Sequence, residues 1–211
     1  MALGYKADYI KKYFYDYRYT SVDFTLKLDP NVKPIVHSKS DEKEWEIVCV
    51  DTGVDTLKGG RIKRLEPYIQ SDHFHLTYGD GLSDIDLVSL DKFHQEHQKI
   101  ATVTAVRPPS RFGEMTIKGD LVTEFVEKPQ LNSGHINGGF FVFNKTFLKS
   151  LSIDKNCDLE FGALQKLAHD QELMTYRHEG YWQCMDNIRD FEYLNKLWNS
   201  GEAPWKKWET T

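Results

Sequence analysis

The chain has 211 residues, of which 40% are hydrophobic and 28% are charged, and its formal net charge is -5. The size and composition predict one globular domain over residues 1–211, with a helical tail at about 188–211. The negative charge argues against nucleic acid as the main partner, and no apolar run is long enough to span a membrane. Three widely spaced cysteines form no disulfide framework, which favours the cytoplasm.

The first third of the chain is predicted to mix helices with short strands. Residues 5–17 have helical spacing, with aromatic side chains on one side. Residues 22–28 and 45–50 are predicted strands. A helix-like run follows Gly59 and Gly60 within residues 56–68.

The rest of the chain alternates strands with helices. This alternation predicts an α/β fold, a Rossmann-like doubly wound sheet that is mostly parallel. Two short strands are expected around Gly119, within 108–129. The other predicted strands are 74–78, 100–106, 135–144 and 174–185. The predicted helices are 84–98, one that starts at 145, 158–173 and 189–201. In the helix at 84–98, Asp84 is the expected N-cap and Leu87 is expected to face inward.

Polar residues follow several predicted strands. Asp80 lies between Gly79 and Gly81, directly after the strand at 74–78. Ligands of open α/β sheets bind beyond the carboxyl ends of the strands. This placement indicates a ligand site at one edge of the sheet. Glu127-Lys128 and Asp186 also follow predicted strands, and the two glycines of Asn137-Gly138-Gly139 let the backbone approach a ligand closely.

These segments, in this order, resemble the sugar-1-phosphate nucleotidyltransferases, and within them the cytidylyl branch. The likeness spans nearly the whole chain, and the set of motifs is specific although no single motif is. The motifs are Gly4-Tyr5-Lys6, Val50-Asp51-Thr52-Gly53, Gly59-Gly60-Arg61, Tyr78-Gly79-Asp80-Gly81, Arg111-Phe112-Gly113, Glu127-Lys128-Pro129, Ile136-Asn137-Gly138-Gly139-Phe140-Phe141, Trp182-Gln183 with Met185-Asp186, Arg189-Asp190, and Ala203-Pro204-Trp205-Lys206.

The resemblance implies a reaction in which CTP and glucose 1-phosphate give CDP-glucose and pyrophosphate, for surface-polysaccharide precursors. It implies a Mg²⁺ ion on Asp80 and Asp186, and it makes Asp80 and Lys128 the catalytic residues. It also implies a cytoplasmic homo-oligomer. The substrate-binding residues that it implies are Thr52, Gly59, Gly60 and Arg61 beside the base, Gly79 beside Asp80, and Glu127, Lys128, Asn137, Gly138 and Gly139 on the sugar side.

One family feature has no counterpart in the sequence. The family begins with a strand and a Gly-rich loop of the GGxGTRL type, which wraps the triphosphate, and this chain begins at "MALGYK". We therefore expect the first βαβ unit to be missing, and whether the chain is active stays open. The alternatives are a remnant or partner subunit that only binds sugar phosphate and, more distantly, a glycosyltransferase that uses Asp84 and Asp86.

The histidines are interpreted as structural. His94 and His97 are three residues apart, and His73 and His75 alternate on a strand. Such spacings occur in metal sites, but no third ligand is evident from the sequence. We therefore expect surface pairs.

Overall fold

The computed structural model describes residues 1–37, 45–108, 114–126 and 134–208. The chain divides into two compact units. The first comprises Met1–Gln70 with Leu148–Ala163, and the second comprises Ser71–Phe147 with Leu164–Thr211. Among the described residues, no helix has the length and apolar character needed to cross a lipid bilayer.

The first unit contains two helices and short strand pairs. Strands β1 (Ala2–Leu3) and β4 (Val50–Asp51) pair in parallel, and β2 (Phe24–Thr25) and β3 (Ile35–Val36) pair in antiparallel fashion. Helix α1 is Ala7–Thr20, helix α2 is Lys58–Arg64, and a 3₁₀ turn follows at Glu66–Tyr68.

Two strand predictions in this unit are wrong in extent. The strand predicted at 22–28 is two residues long, and residues 45–49, which the structure describes, form no strand. The side chains there are exposed, Trp45 by 71% and Leu28 by 94%. An alternating pattern makes a strand only where one face is buried, and these segments have no such face.

The second unit is built on a four-stranded sheet of β5 (His73–Thr77), β7 (Ala101–Val106), β10 (Ile136–Asn144) and β11 (Leu173–His178), in the order β11-β7-β10-β5. β11 is parallel to β7, and β10 is antiparallel to both β7 and β5. Three strands therefore share one direction, which confirms the mostly parallel α/β sheet, and only β10 opposes them.

The core of this unit lies between the sheet and helix α3 (Leu87–His97). Ile85, Leu90 and Val142 form a buried cluster against which Phe140 and Tyr176 pack. Burying one large apolar side chain stabilises a fold by about 1.5–3 kcal/mol, so such a cluster orients α3 on the sheet.

Two strand pairs and two helices complete the second unit. β6 (Gly81–Ser83) pairs with β12 (Trp182–Cys184), and β8 (Glu114–Lys118) pairs with β9 (Leu121–Val126) across Gly119, as predicted. The helices are α4 (Gln165–His169) and α5 (Ile188–Asn199). Gly201 ends α5 with a φ of 75°, a left-handed conformation that glycine adopts readily.

The helix predicted to start at residue 145 is a 3₁₀ helix, Lys145–Ser150. The single helix predicted at 158–173 is wrong, because the segment is a π-type turn, Leu159–Leu164, followed by the short α4. Gly162 has a φ of 132°, which lies outside the helical region and interrupts the hydrogen-bond ladder. The predicted inward position of Leu87 is also wrong, because its side chain is 52% exposed.

Candidate active site

A cavity of about 730 Å³ lies in the second unit, at the end of β5. Its walls come from the turn after β5, the start of β10, strand β12 and the start of α5. The cavity therefore lies beyond the carboxyl end of a sheet strand, where α/β proteins bind ligands. The cavity lining includes Asp80, Asn137, Gly138, Gly139, Trp182 and Asp186.

Asp80 and Asp186 are brought to this cavity by the pairing of β6 with β12. Gly81 lies opposite Cys184, and the Met185 N–H donates to the backbone oxygen of Asp80 at 2.8 Å. Both carboxylate residues are exposed and line the cavity. Two carboxylates that are 106 positions apart in the sequence thus line the same cavity.

Cys184 orients Asp186. Its thiol donates to Oδ2 of Asp186 at 3.1 Å. Burial, and next the hydrogen bond to Asp186, raise the pKa of the Cys184 thiol to about 11. The thiol is therefore protonated at neutral pH and acts as a hydrogen-bond donor, not as a nucleophile.

Asn137 and the two glycines that follow form an irregular start to β10. The pairing of β10 with β7 shifts register between Asn137 and Phe141. Asn137 Oδ1 accepts from the Gly139 N–H at 2.9 Å, and its amide donates to the Tyr78 hydroxyl at 3.3 Å. The bulge turns the Asn137 side chain to the cavity wall.

Packing explains why both positions are glycine. A Cβ on Gly138 would lie 2.7 Å from Cγ1 of Val106, and Gly139 has a φ of 80°. The backbone oxygen of Gly138 accepts from Nε1 of Trp182 at 2.8 Å, which ties β10 to β12. Gly79 differs, because its added Cβ would meet no described atom within 4 Å.

The residues predicted beside the base lie in the first unit. Gly59 and Gly60 are buried within α2, which starts at Lys58, so they belong to the helix rather than precede it. An added Cβ would lie 2.8 Å from the Cys157 oxygen at Gly59 and 2.5 Å from the Asp154 oxygen at Gly60. These glycines allow a close approach of helix and loop.

The side chains of Arg61 and Thr52 are occupied by backbone contacts. Arg61 donates to the oxygens of Thr56, Val54 and Leu3 at 2.7, 3.0 and 3.2 Å, and to the Thr52 hydroxyl at 3.0 Å. The buried Thr52 hydroxyl donates to the Leu3 oxygen at 2.7 Å. Both side chains thereby hold β1, β4 and the following loop together.

Glu127 and Lys128 lie outside the described residues, as do Arg111, Phe112 and Gly113. Their roles stay predictions. The cavity is also lined by four residues for which the sequence predicted no role: Trp182, Arg189, Asp190 and Tyr193. Three of them, Trp182, Arg189 and Asp190, belong to the motifs on which the family resemblance rests. Their place in those motifs could have indicated a role in the site.

The Asp84-Ile85-Asp86 segment serves the fold. Asp86, and not Asp84 as predicted, caps α3, because its carboxylate accepts from the N–H groups of Val88 and Ser89 at 3.0 Å. The side-chain and backbone hydrogen bonds of Ser89 lower the pKa of Asp86. Oδ1 of Asp84 lies 2.9 Å from Nε2 of His178. Neither contact supports a metal–nucleotide role for this pair.

The histidines also differ from expectation. His94 and His97 were predicted to form a surface pair. This prediction is wrong for His94, which is only 2% exposed. It faces β7, where its Nδ1 lies 2.8 Å from the Thr102 hydroxyl. Burial is the main cause that lowers the pKa of both His94 and His97.

The fold and the cavity define an α/β protein with a ligand site beyond its strand ends. The model of the nucleotidyl transferase family matches residues 36–199, and the chain belongs to that family. Members of this family generally use a divalent metal.

Two curated relatives extend this assignment over nearly the whole chain. The sequence is 42% identical over 98% of its length to the glucose-1-phosphate cytidylyltransferase of Salmonella typhimurium (strain LT2), covering 79% of that protein. It is 39% identical over 99% of its length to a probable glucose-1-phosphate cytidylyltransferase of Bacillus subtilis, covering 80% of it. The predicted resemblance to the sugar-1-phosphate nucleotidyltransferases is thereby confirmed.

Solved structures agree on the fold. HddC from Yersinia pseudotuberculosis superposes with a TM-score of 0.57 at 19% identity, covering 93% of this chain and 76% of that one. A putative glucose-1-phosphate thymidylyltransferase from Bacillus anthracis has a TM-score of 0.51 at 16% identity, covering 74% of this chain and 64% of that one. At these identities the likeness concerns the fold alone.

Proposed function

We propose that the chain transfers a cytidylyl group from CTP to glucose 1-phosphate, giving CDP-glucose and pyrophosphate. The observation that carries the proposal is the pair Asp80 and Asp186 on one cavity, in a chain similar over nearly its full length to cytidylyltransferases. Nucleotide-sugar supply for surface polysaccharides is the process in which we place this product.

The reaction needs placement and charge neutralisation more than covalent help. An oxygen of the sugar phosphate attacks the α-phosphorus of CTP and forms a new P–O bond. The bond from that phosphorus to the bridging oxygen breaks, and pyrophosphate leaves with the electron pair. The protein accelerates this step by aligning the two phosphates and by stabilising the developing charge.

Asp80 and Asp186 fit a Mg²⁺ ion by their chemistry. Both are carboxylates, the hard oxygen donors that Mg²⁺ prefers, and both are exposed on the cavity wall. When bound, the ion supplies charge neutralisation at the phosphates. The Cys184 thiol, held protonated, orients the Asp186 carboxylate for this role.

The sugar side of the site is assigned to the start of β10 and to the segment before Pro129. Asn137, held by Gly139 and Tyr78, presents an amide at the cavity to sugar hydroxyls. Glu127 is proposed to bind sugar hydroxyls and Lys128 the sugar phosphate, because a compact ammonium suits a phosphate. Gly138 and Gly139 contribute backbone groups at the same wall.

The base-binding role of Thr52, Gly59, Gly60 and Arg61 is proposed from the family resemblance alone. The Thr52 and Arg61 side chains already bind backbone oxygens, and the Gly60 N–H donates to the Cys157 oxygen at 2.9 Å. Gly79, where packing leaves open space, allows a ligand to approach the backbone beside Asp80. We further propose a cytoplasmic enzyme that works as a homo-oligomer.

Pyrophosphate release tests the activity. The chain is incubated with Mg²⁺, one of CTP, UTP, dTTP or GTP, and either glucose 1-phosphate or mannose 1-phosphate. The expected result is release with CTP and glucose 1-phosphate at a kcat/KM at least about tenfold above every other pair. Release with another nucleotide but not with CTP overturns the base assignment. Calorimetric binding of glucose 1-phosphate without turnover supports a chain that only binds sugar phosphate.

A further inference from the structure

A second cluster of metal-binding side chains lies away from the cavity. It comprises His73 and His75 of β5 and Asp91 of α3. Residues at positions i and i+2 of a strand point to the same face, so both imidazoles project together. The packing of α3 on the sheet brings Asp91 to them. The sequence showed the two histidines but not this third residue, which belongs to another element.

The distances suit ligands of a single ion. Oδ1 of Asp91 lies 3.0 Å from Nε2 of His73 and 3.0 Å from Nε2 of His75. All three ligand atoms lie within 4.8 Å of one another. Nitrogen and oxygen ligands at the usual 2.0–2.2 Å from Zn²⁺ lie roughly 3.0–3.5 Å apart. The two Oδ1–Nε2 distances of 3.0 Å therefore already lie at the lower end of this spacing.

The cluster is also held in orientation. Oδ2 of Asp91, the carboxylate oxygen other than the one beside the imidazoles, accepts from the Gln95 amide at 2.6 Å. Such a partner fixes a ligating carboxylate and leaves its other oxygen for the metal. His75 and Asp91 have side-chain exposures of 44% and 27%, so an ion reaches the site from solvent.

We propose that His73, His75 and Asp91 form a binding site for a borderline divalent transition metal ion, of which Zn²⁺ is the probe of choice. Two imidazoles and one carboxylate select such ions over Mg²⁺ and Ca²⁺, which prefer oxygen alone. Three protein ligands leave a fourth position for water. The ion joins β5 to α3 and stabilises the second unit.

This site is distinct from the one assigned to nucleotide transfer. His73 opens β5 and Thr77, which lines the cavity, closes it. At about 3.3 Å per residue the two ends of this strand are roughly 13 Å apart. Zn²⁺ binding at the cluster therefore does not depend on Asp80 or Asp186.

The test is calorimetric titration of the full chain with Zn²⁺ in the presence of excess Mg²⁺. Co²⁺ is used in parallel, since its visible spectrum reports nitrogen ligands. The variants are His75→Gln and Asp91→Asn. The matched control is His169→Gln, because His169 also lies beside a carboxylate, with 3.1 Å between its Nδ1 and Oδ1 of Asp170. Asp186→Asn controls for binding at the cavity.

One equivalent of Zn²⁺ is expected for the wild type, His169→Gln and Asp186→Asn, with a raised melting temperature. His75→Gln is expected to bind about 100-fold more weakly or worse, since losing a ligand costs more than the 10–100-fold typical of losing its partner. No binding by the wild type, or unchanged affinity in His75→Gln, overturns the proposal. If Asp91→Asn fails to fold, His75→Gln decides alone, because its half-exposed side chain is replaceable.

Discussion

The hydroxyl oxygen of Thr102 lies 2.8 Å from Nδ1 of His94, and both residues are buried. The same oxygen lies 2.7 Å from Nε2 of His97. The backbone N–H of Lys99 donates to Nδ1 of His97 at 2.9 Å, so the neutral ring carries its proton on Nε2. The protons are thereby ordered: His97 donates to Thr102, Thr102 to His94, and His94 to Oδ1 of Asn144 at 3.3 Å.

Replacing Thr102 by Val is expected to lower the free energy of unfolding. The change keeps the shape but leaves the buried Nδ1 of His94 and the partly buried Nε2 of His97 without their partner, which costs about 1–3 kcal/mol. Urea unfolding followed by circular dichroism measures the loss. The control is Thr175→Val on β11, where the threonine is exposed and the change should stay within about 0.5 kcal/mol. Equal effects of the two substitutions would contradict the ordered chain.

Acid should destabilise the fold through His94. Burial lowers the pKa of His94 from 6.5, so below pH 6.5 the unfolded chain takes up a proton that the folded chain resists. This contribution to stability is complete above the unfolded pKa and is lost as the pH falls from there towards the lowered folded pKa.

The pH effect is measured by urea unfolding at about pH 7.5 and about pH 5.5. The wild type should be less stable at the lower pH, and His94→Gln should show a smaller difference between the two. His97, with its pKa lowered in the same direction, adds to the wild-type effect. A pH dependence that is the same in His94→Gln and the wild type would refute the assignment to this residue.

Asp80→Asn and Asp186→Asn should each reduce kcat/KM for CDP-glucose formation by about 100-fold or more, since charge stabilisation by a metal is worth several kcal/mol. Both side chains are exposed, so the melting temperature should change little. Asp120→Asn is the matched control, because Asp120 also follows a glycine in an exposed turn. Full activity in both variants would remove these carboxylates from the reaction.

Arg61→Gln separates a structural role from a nucleotide-binding one. The guanidinium binds three backbone oxygens and the Thr52 hydroxyl, so its loss should cost about 2 kcal/mol or more of stability. Arg177→Gln, on an exposed position of β11, should cost little. A raised KM for CTP with unchanged stability would instead favour direct contact with the nucleotide.

The extent to which the sequence predicts the fold depends on burial. The strands at 74–78, 100–106 and 135–144 appear within a residue or two of their predicted bounds, because runs of β-branched and aromatic residues fit a buried sheet. The segments at 22–28 and 45–50 show similar local patterns without a buried face. The predicted N-cap, Asp84, is two residues from the observed one, Asp86, because aspartate suits an N-cap at either position and the local sequence does not distinguish them.

The sequence by itself determined the family, the class of fold and the carboxylates and glycines at the strand ends, since these are properties of local pattern and motif order. Only the tertiary structure decided that Asp91 lies beside His73 and His75 in one cluster of possible metal ligands. It also decided that Arg61 donates its hydrogen bonds to backbone oxygens. The physical reason is that these contacts connect separate elements. Their formation depends on how helices pack against strands and loops, which no local spacing of residues encodes.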